Sequence, residues 1–568
     1  MHLLDQKTQN GIKDVHYFKT TSNKQSFVIV YVSVFIMTYC ISLESQTTSN
    51  LIVPATSYFG KNSLIPLINT INGVLYAVVK QQMAKMSAVF GRIEGFCFSL
   101  LLYDIGCIMY MMSTNIVTFI ISSILHTIGS TGIQILQQII IAVDISNFLN
   151  RGLLNSILDV PLLINVWVGP SLAQSIYLPE PASEQWRLGY GIWAVVLSLG
   201  SLPIIIVLYL GQFKPKGIHM LSLENNDGSI TLSIKKIFIE LDLIGIIILS
   251  FGLIMLLFQL IHEFPIFYDI KSLYIATIFV IVTILCVIFP LWEFFFAKYP
   301  IFDINSFKLG MIGSGYFSSF FYFMGFYLYN NYFSTYLYVT KSNSIKRVGY
   351  LNNVFSFTST IVAIFVGILV KYNKRYNFFI YIGSPIYMIG IIYMIYNLRI
   401  DESVVEMTIS QAIIGISGGI YNMSALIGIQ ALSCRQQVVV NTALFLTLAS
   451  LGGAIGSAIS GIMWSSLLPK MLKFHSKRLN IFLTSSDYSL IIGSPFILDQ
   501  YPKFVRGTLE RMTIILAYND LMKFLYICSA MCAIPMLFCV MFMKDIHLYR
   551  TKQKIYDNNL YKLSNELK

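Results

Sequence analysis

Residues 27–43 read FVIVYVSVFIMTYCISL, an uncharged and mostly apolar run close to the length that crosses a bilayer as one helix. The preceding residues 1–26 are polar and contain several Lys. No small-residue cleavage site follows the run, so it predicts a retained first span and not a removed signal peptide. Comparable blocks recur along the chain as far as Met543. The sequence therefore predicts an all-α polytopic membrane protein.

The composition of the chain supports the same fold class. Of the 568 residues, 56% are apolar and 12% are charged, and a soluble protein carries about twice that charged fraction. The eight cysteines form no CxxC motif and no cluster with His. Because no pattern typical of a nucleophile, a metal site or a cofactor site is present, we predict no enzymatic activity, no bound metal and no cofactor.

Breaks at charged and turn-rich segments divide the chain into fourteen predicted transmembrane spans of about 20 residues each. They lie near residues 27–43, 63–83, 94–113, 116–143, 152–176, 188–210, 241–262, 273–292, 307–329, 347–370, 377–396, 405–428, 438–467 and 521–543. This order indicates two six-helix halves with two inserted helices between them. Two such halves with a site near the membrane midplane are typical of secondary transporters.

The same breaks predict the organisation of the chain. Its predicted parts are an N-terminal tail 1–26, a first half 27–210, a linker 211–240, an inserted helix pair 241–292, a second half 293–543 with a long outer loop 469–520, and a C-terminal tail 544–568.

The net charge of +12 is an orientation signal. An even number of spans places both termini on one side, and the short loops on that side carry most of the Lys and Arg, for example in residues 214–216 and 371–375. Positive residues favour the cytoplasmic side of a membrane, so we predict that both termini are cytoplasmic. No nucleic-acid partner is predicted. A phosphate-binding GxxxxGK[ST] loop and a channel filter loop are absent, which favours a secondary transporter.

The loop after the second span resembles a signature of the major facilitator superfamily. It reads Lys80-Gln-Gln-Met-Ala-Lys85-Met-Ser-Ala-Val-Phe-Gly91-Arg92, with Phe90-Gly91-Arg92 matching the pattern and Ala88 at the acidic position of that family. The resemblance implies a major facilitator fold. It also implies that Lys85, Gly91 and Arg92 belong to a gating loop that ties neighbouring helix ends in one access state.

Further stretches resemble the fungal siderophore-iron transporters, a fourteen-span branch of that superfamily that also includes glutathione/proton exchangers and has haem-transporting relatives. The matching stretches are Ser42-Leu43-Glu44-Ser45-Gln46-Thr47-Thr48, Gly132-Ile-Gln134-Ile-Leu-Gln137-Gln138-Ile-Ile-Ile-Ala142-Val-Asp144, Gly493-Ser494-Pro495, Tyr501-Pro502, Gly507-Thr508-Leu509-Glu510-Arg511 and Ala517-Tyr518. In the first of them, Glu44 occupies the acidic position of the family.

Ionisable side chains inside the spans are candidates for proton coupling, because each costs at least roughly 2.5 kcal/mol at the centre of a membrane helix. Glu44 is predicted near the outer end of span 1, Asp104 near the middle of span 3, His126 within span 4 and Asp159 in the inner part of span 5. A histidine titrates near neutrality. The alternative interpretation of each is an interhelical hydrogen bond or a solvated helix end.

Neutral polar side chains are candidates for substrate binding, because amides bind polar groups without the cost of a buried charge. Gln134 and Gln138 are spaced i, i+4, with Gln137 beside them, and Asn165 lies in span 5. The same amides can simply bridge helices. In the last outer loop, the resemblance adds Tyr501, Arg511 and Tyr518 as substrate-binding candidates.

Together these features predict a proton-coupled secondary transporter that imports ferric siderophore chelates by alternating access, in the plasma membrane or an endosomal membrane. Its predicted partners are the chelate, protons and the lipid bilayer. The protein needs no site for bare iron, because the chelator satisfies the metal. Three alternatives remain: exchange of glutathione or a similar small peptide for protons, haem transport, and a receptor that binds ligand without moving it.

Overall fold

The computed structural model describes the greater part of both predicted halves. The described residues are 24–89, 91–140, 159–177, 184–213, 310–341, 344–373, 375–398, 404–432 and 438–543, with the single positions 245, 248, 252, 288, 291 and 292. The predicted linker, most of the inserted helix pair 241–292 and most of both terminal tails lie outside the described residues.

The described residues are almost entirely helical. The helices are α1 (Lys24–Tyr58), α2 (Ile65–Val89), α3 (Arg92–Met111), α4 (Ile116–Ile139), α5 (Val160–Ile176), α6 (Trp186–Phe213), α7 (Gly310–Thr340), α8 (Ile345–Asn373), α9 (Asn377–Asn397), α10 (Val404–Leu432), α11 (Val438–Arg478), the short α12 (Ser485–Gly493) and α13 (Leu509–Met541). Short 3₁₀ turns occupy Asn62–Leu64, Pro495–Gln500 and Pro502–Phe504.

Twelve of the fourteen predicted spans coincide with long helices, six in each half. Among the described residues, ten helices are long and apolar enough to cross a membrane, and α5 is a shorter apolar helix. The spans predicted at 241–262 and 273–292 lie outside the residues that the structure describes, so the count of fourteen stays a prediction.

Two predicted boundaries differ from the structure. The first span was predicted to end at Leu43, whereas α1 continues to Tyr58. The polar residues after Leu43 stay helical because their hydroxyls bond within the helix: Thr47 Oγ1 donates to the Leu43 carbonyl at 2.7 Å and Thr48 Oγ1 to the Glu44 carbonyl at 3.0 Å. Such bonds satisfy polar groups that hydropathy counts against a span.

The predicted outer loop 469–520 is shorter than the sequence indicates. Helix α11 runs to Arg478 and α13 begins at Leu509, so only residues 479–508 connect the two helices. A hydropathy pattern marks where the apolar stretch ends, and these helices extend beyond it. Residues 152–158 of predicted span 5 lie outside the described residues, and the described helix α5 begins at Val160, with Pro161 in its first turn.

The two halves pack internally and against each other. In the first half, α3 packs on α4, and α1 packs on α5 and α6; in the second half, α7 packs on α11 and α13, and α10 on α8 and α9. Between the halves, α2 packs on α11 and α5 packs on α8.

Direct hydrogen bonds join the halves along these two contacts. Thr447 Oγ1 donates to the Ala77 carbonyl at 2.8 Å, and Asn353 Nδ2 donates to the Val166 carbonyl at 3.0 Å. In both bonds a side chain of the second half donates to a backbone carbonyl of the first half. These bonds fix the position of α11 along α2 and of α8 along α5.

One end of the bundle is covered by residues 479–508, and we call it the capped end. Ser494 Oγ donates a 3.1 Å hydrogen bond to the Ser57 carbonyl at the end of α1. The Phe496 ring packs edge-on against Tyr177 of the first half at 5.5 Å and Tyr338 of the second half at 5.2 Å, measured between ring centroids. The connection thus holds both halves together at this end.

Candidate functional site

A close approach of α3 and α4 positions His126. Gly106 of α3 faces the backbone of His126, and a Cβ at Gly106 would lie 2.5 Å from the backbone nitrogen of His126. In the same contact, a Cβ at Gly129 of α4 would lie 2.3 Å from the nitrogen of Tyr103. Only glycine permits this approach. The imidazole is consequently held between α3 and the helix that carries its partner, α1.

Glu44 lies in the middle of α1 and is buried, with 3% of its surface exposed. Its Oε1 accepts a 3.1 Å hydrogen bond from Thr48 Oγ1 one turn away. The same oxygen lies 3.2 Å from His126 Nε2 of α4. The prediction that Glu44 lies near the end of the span is wrong, since the helix continues fourteen residues beyond it. Two proton-coupling candidates from separate spans therefore form one pair.

Aromatic rings surround this pair. The Tyr103 ring lies 4.8 Å and the Tyr110 ring 5.8 Å from the His126 ring, and Tyr190 of α6 stacks on Tyr110 at 4.6 Å. All three tyrosines are buried. The rings cover much of both side chains, of which 4% is exposed for Glu44 and 16% for His126.

A polar stripe on α2 extends the site across the bundle. Its members recur every three or four residues and are Asn69, Asn72, Tyr76 and Lys80. Asn69 Nδ2 donates to Asn331 of α7 at 3.0 Å, Asn72 Oδ1 accepts from Ser123 of α4 at 2.9 Å, and Lys80 Nζ donates to Ser450 of α11 at 3.0 Å. The stripe thus contacts both halves. The sequence interpretation did not select its asparagines, although their helical spacing is a detectable signal.

The other two acidic candidates make different contacts from those of the pair. Asp104 of α3 accepts a 2.7 Å hydrogen bond from Ser198 of α6 through Oδ2 and is half-buried. Asp159 directly precedes α5, which begins at Val160, and residues 141–158 before it lie outside the described residues. Asp104 follows Tyr103, whose ring packs on His126. The role predicted for each acid stays a prediction.

The predicted amide ligands occupy different environments. Gln137 is buried, and Gln134 and Gln138 are partly exposed on the same half of α4. Asn165 is fully buried and donates to the Tyr39 carbonyl of α1 at 3.0 Å, so it bridges α5 and α1. Helix bridging is the alternative interpretation of such amides, and for Asn165 the geometry favours it.

The three candidates from the last loop belong to the capped end. Arg511 is 1% exposed, and its Nη2 lies 2.9 Å from Asp499 Oδ1 and 2.8 Å from the Val339 carbonyl. Tyr518 is fully buried and donates to the Ile491 carbonyl at 3.1 Å, whereas Tyr501 is 42% exposed. Arg511 and Tyr518 therefore hold the cap in place, and Tyr501 is accessible on its surface.

The predicted gating loop lies between α2 and α3, away from the capped end. Gly91 precedes α3 with φ of 127°, a backbone conformation that glycine permits. Arg92 Nη1 donates to Ser87 Oγ of α2 at 2.7 Å, so the two helix ends are tied without an aspartate at Ala88. Lys85 is part of α2.

Among the residues that the structure describes, no group of three His, Cys, Asp or Glu side chains could hold a metal ion. The Glu44–His126 pair has only two such ligands. The geometry of the described bundle thus suits proton exchange between helices and binding of a polar solute between the halves.

Several curated proteins are similar to this chain over nearly its whole length. The "MFS siderochrome iron transporter C" of Aspergillus fumigatus is 33% identical over 554 residues, which cover 97% of this chain and 89% of that protein. The "Siderophore iron transporter mirC" of Emericella nidulans is 34% identical, covering 93% and 86%. The chain belongs to the fungal siderophore iron transporter family. Another member, "Siderophore iron transporter 1" of Schizosaccharomyces pombe, is 32% identical and covers 97% and 87%. No family model matches the sequence.

Solved structures place this siderophore transporter family member in the major facilitator fold. A bacterial homologue of the human lysosomal transporter Spinster, inward-facing and unoccupied, aligns with a TM-score of 0.57 at 12% identity, covering 92% of this chain and 98% of that one. A structure of the same description in an inward-facing, occupied conformation gives 0.53 at 11% identity, covering 94% and 98%. The predicted fold class is confirmed.

Proposed function

We propose that this protein is a proton-coupled secondary transporter that imports ferric siderophore chelates by alternating access. Membership of the family and the major facilitator fold support the transport of siderophore-bound iron. The observation that carries proton coupling is the approach of His126 Nε2 to the buried Glu44 Oε1 at 3.2 Å. Coupling to protons and the inward direction are the parts that require measurement.

The Glu44–His126 pair supplies a proton-binding group at mid-membrane. Glu44 is in the middle of α1, and α1 also packs on α5, the helix that contacts the second half through α8. Protonation removes the charge of the carboxylate and so changes its attraction for the imidazole. A change in the distance between α1 and α4 would then accompany each proton that crosses.

We propose that the capped end faces the outside or the endosomal lumen and that both termini are cytoplasmic. The distribution of Lys and Arg supports this orientation. In the described structure, this end is closed by the contacts of Ser494 with Ser57 and of Phe496 with both halves. Substrate uptake would require these contacts to break and re-form once per cycle.

The test is transport by the purified full-length protein in proteoliposomes. A radio-iron-labelled ferric trihydroxamate is offered with and without an imposed pH gradient, acidic outside, and with a protonophore. We expect accumulation above equilibrium only when the gradient is present. Equal accumulation without the gradient would contradict proton coupling. Glutathione efflux in the absence of chelate uptake would instead identify a glutathione exchanger.

A further inference from the structure

Lys80 is a cation in the interior of the bundle that proton coupling does not use. It lies on α2, about 22 Å from the start of that helix at Ile65. Its Nζ donates a 3.0 Å hydrogen bond to Ser450 Oγ of α11, which belongs to the other half. The Tyr76 ring lies 5.6 Å from the ammonium, measured to the ring centroid. Lys80 therefore contacts the second half and does not extend toward the lipid headgroups.

Among the residues that the structure describes, no counter-charge lies beside Lys80. Its partners are a hydroxyl and an aromatic ring, and no carboxylate of the described residues lies within ion-pair distance of Nζ. By contrast, the fully buried Glu44 and Arg511 each lie against an ionisable partner, His126 and Asp499. A buried charge without an opposite charge is costly, and the cost falls when an anion binds beside it.

Lys80 lies on the face of α2 that meets α11 of the second half. Nearer the capped end, α2 and α11 are in direct contact, because a Cβ at Gly73 would lie 2.9 Å from Ala454 Cβ and Thr447 bonds to Ala77. Lys80 follows this tight contact along α2 and keeps part of its surface exposed. Since its ammonium bonds to Ser450, the charge lies at the boundary between the two halves.

We propose that Lys80 binds a negatively charged group of the transported chelate and makes the transporter select anionic ferric chelates, such as those with a free carboxylate. This inference rests on the proposed function. An ammonium has three donors, of which Ser450 takes one, so two remain for a carboxylate. A compact ammonium accepts anions in many orientations, which suits chelates that differ in shape.

The test uses three forms of one linear ferric trihydroxamate. Its terminal amine is left free, acetylated or succinylated, which gives a cationic, a neutral and an anionic chelate with the same iron-binding groups. Radio-iron uptake of each is measured for the wild type, Lys80→Met, Lys80→Arg and the matched control Lys473→Met. Lys473 is an exposed residue near the end of α11.

We expect the wild type to take up the anionic form better than the cationic form. Lys80→Met should lower that ratio by about tenfold, the effect of losing about 1.4 kcal/mol of preference. It should leave uptake of the neutral form nearly unchanged. Lys80→Arg and Lys473→Met should keep the preference, because the first retains the charge and the second alters only an exposed lysine.

Three outcomes would overturn the inference. In the first, the wild type shows no preference among the three forms. In the second, Lys80→Met retains the preference or loses all three activities equally, as expected of a residue needed only for folding or movement. In the third, the wild type takes up none of the chelates, and the proposed function then fails together with this inference.

Discussion

His126 Nε2 of α4 lies 3.2 Å from Glu44 Oε1 of α1, so a buried carboxylate and an imidazole from two helices share one contact. Thr48 fixes the carboxylate from the next turn of α1. On the other side, the α3 glycine Gly106 allows the backbone of His126 to approach closely. The pair is thus held by three helices of the first half.

Removing the carboxylate charge should uncouple transport. We expect Glu44→Gln to reduce accumulation driven by a pH gradient by at least about tenfold, a loss of about 1.4 kcal/mol of driving force. Exchange of labelled for unlabelled chelate at equal pH should persist, since it needs no net proton movement. Both rates are measured in proteoliposomes. The matched control is Glu94→Gln, because Glu94 is an exposed acid in the first turn of α3; an equal loss in both variants would contradict the assignment.

Removing the Phe496 ring should open the capped end. Its two edge-on contacts, with Tyr177 and Tyr338, contribute about 0.5–1.5 kcal/mol each. Ser130 is a buried residue of α4, next to Gly129, and can carry a reporter thiol. In a background without native cysteines, Phe496→Ala should therefore speed the modification of Ser130→Cys by a membrane-impermeant maleimide about tenfold. The reagent is added from the capped side.

The control for this measurement is Tyr501→Ala, which removes a ring of the same connection that is 42% exposed. The Tyr501 variant should leave the modification rate at the wild-type value. Equal rates in the wild type and Phe496→Ala would show that the ring does not hold the two halves together.

Arg511→Met should destabilise the protein. The guanidinium is 1% exposed and lies 2.9 Å from Asp499 Oδ1, so its loss leaves a partly buried carboxylate without this partner. We expect the free energy of unfolding to fall by about 3 kcal/mol, with a lower melting temperature in detergent.

The matched control is Arg506→Met. Arg506 lies 3.5 Å from the other oxygen of Asp499, but 41% of its side chain is exposed, and exposed ion pairs contribute about 1 kcal/mol or less. A similar loss of stability in the two variants would refute the special role of Arg511.

Residues 484–503 of the capped end should stay folded in mild acid. Burial alone would raise the pKa of Asp487, but hydrogen bonds from Lys503 and Thr484 outweigh it and hold this pKa below its ordinary value. A lowered pKa in the folded state gives stability that is complete above the unfolded value of about 4 and is lost as the pH falls through the folded value.

Hydrogen exchange of the backbone amides of residues 484–503 tests this behaviour. After correction for intrinsic rates, protection should be equal at pH 7 and about pH 5, and it should fall only below about pH 4. Asp487→Asn should lower protection at both higher pH values, because it removes the ion pair with Lys503. Loss of protection in the wild type already at about pH 5 would contradict the assignment.

The sequence by itself determined the fold class and the number of helices in each described half. Apolar blocks must become helices in a membrane, because every backbone N–H and C=O needs an internal partner there. The hydropathy pattern did not indicate the full length of α1, because polar residues follow Leu43 in this helix. Their hydroxyls bond to carbonyls of the same helix, as Thr48 does to Glu44, so the helix continues beyond its apolar part.

Only the tertiary structure decided which polar residues act together. Glu44 and His126 are 82 positions apart in the sequence, and no local spacing links them. The same holds for Lys80 and Ser450, which meet because α2 packs on α11. Arg511 lies in a stretch that resembles the family and was therefore a candidate for substrate binding. In the structure its guanidinium contacts Asp499 at the capped end. Charge and hydropathy are properties of the chain, whereas the contact of two side chains depends on how the helices cross.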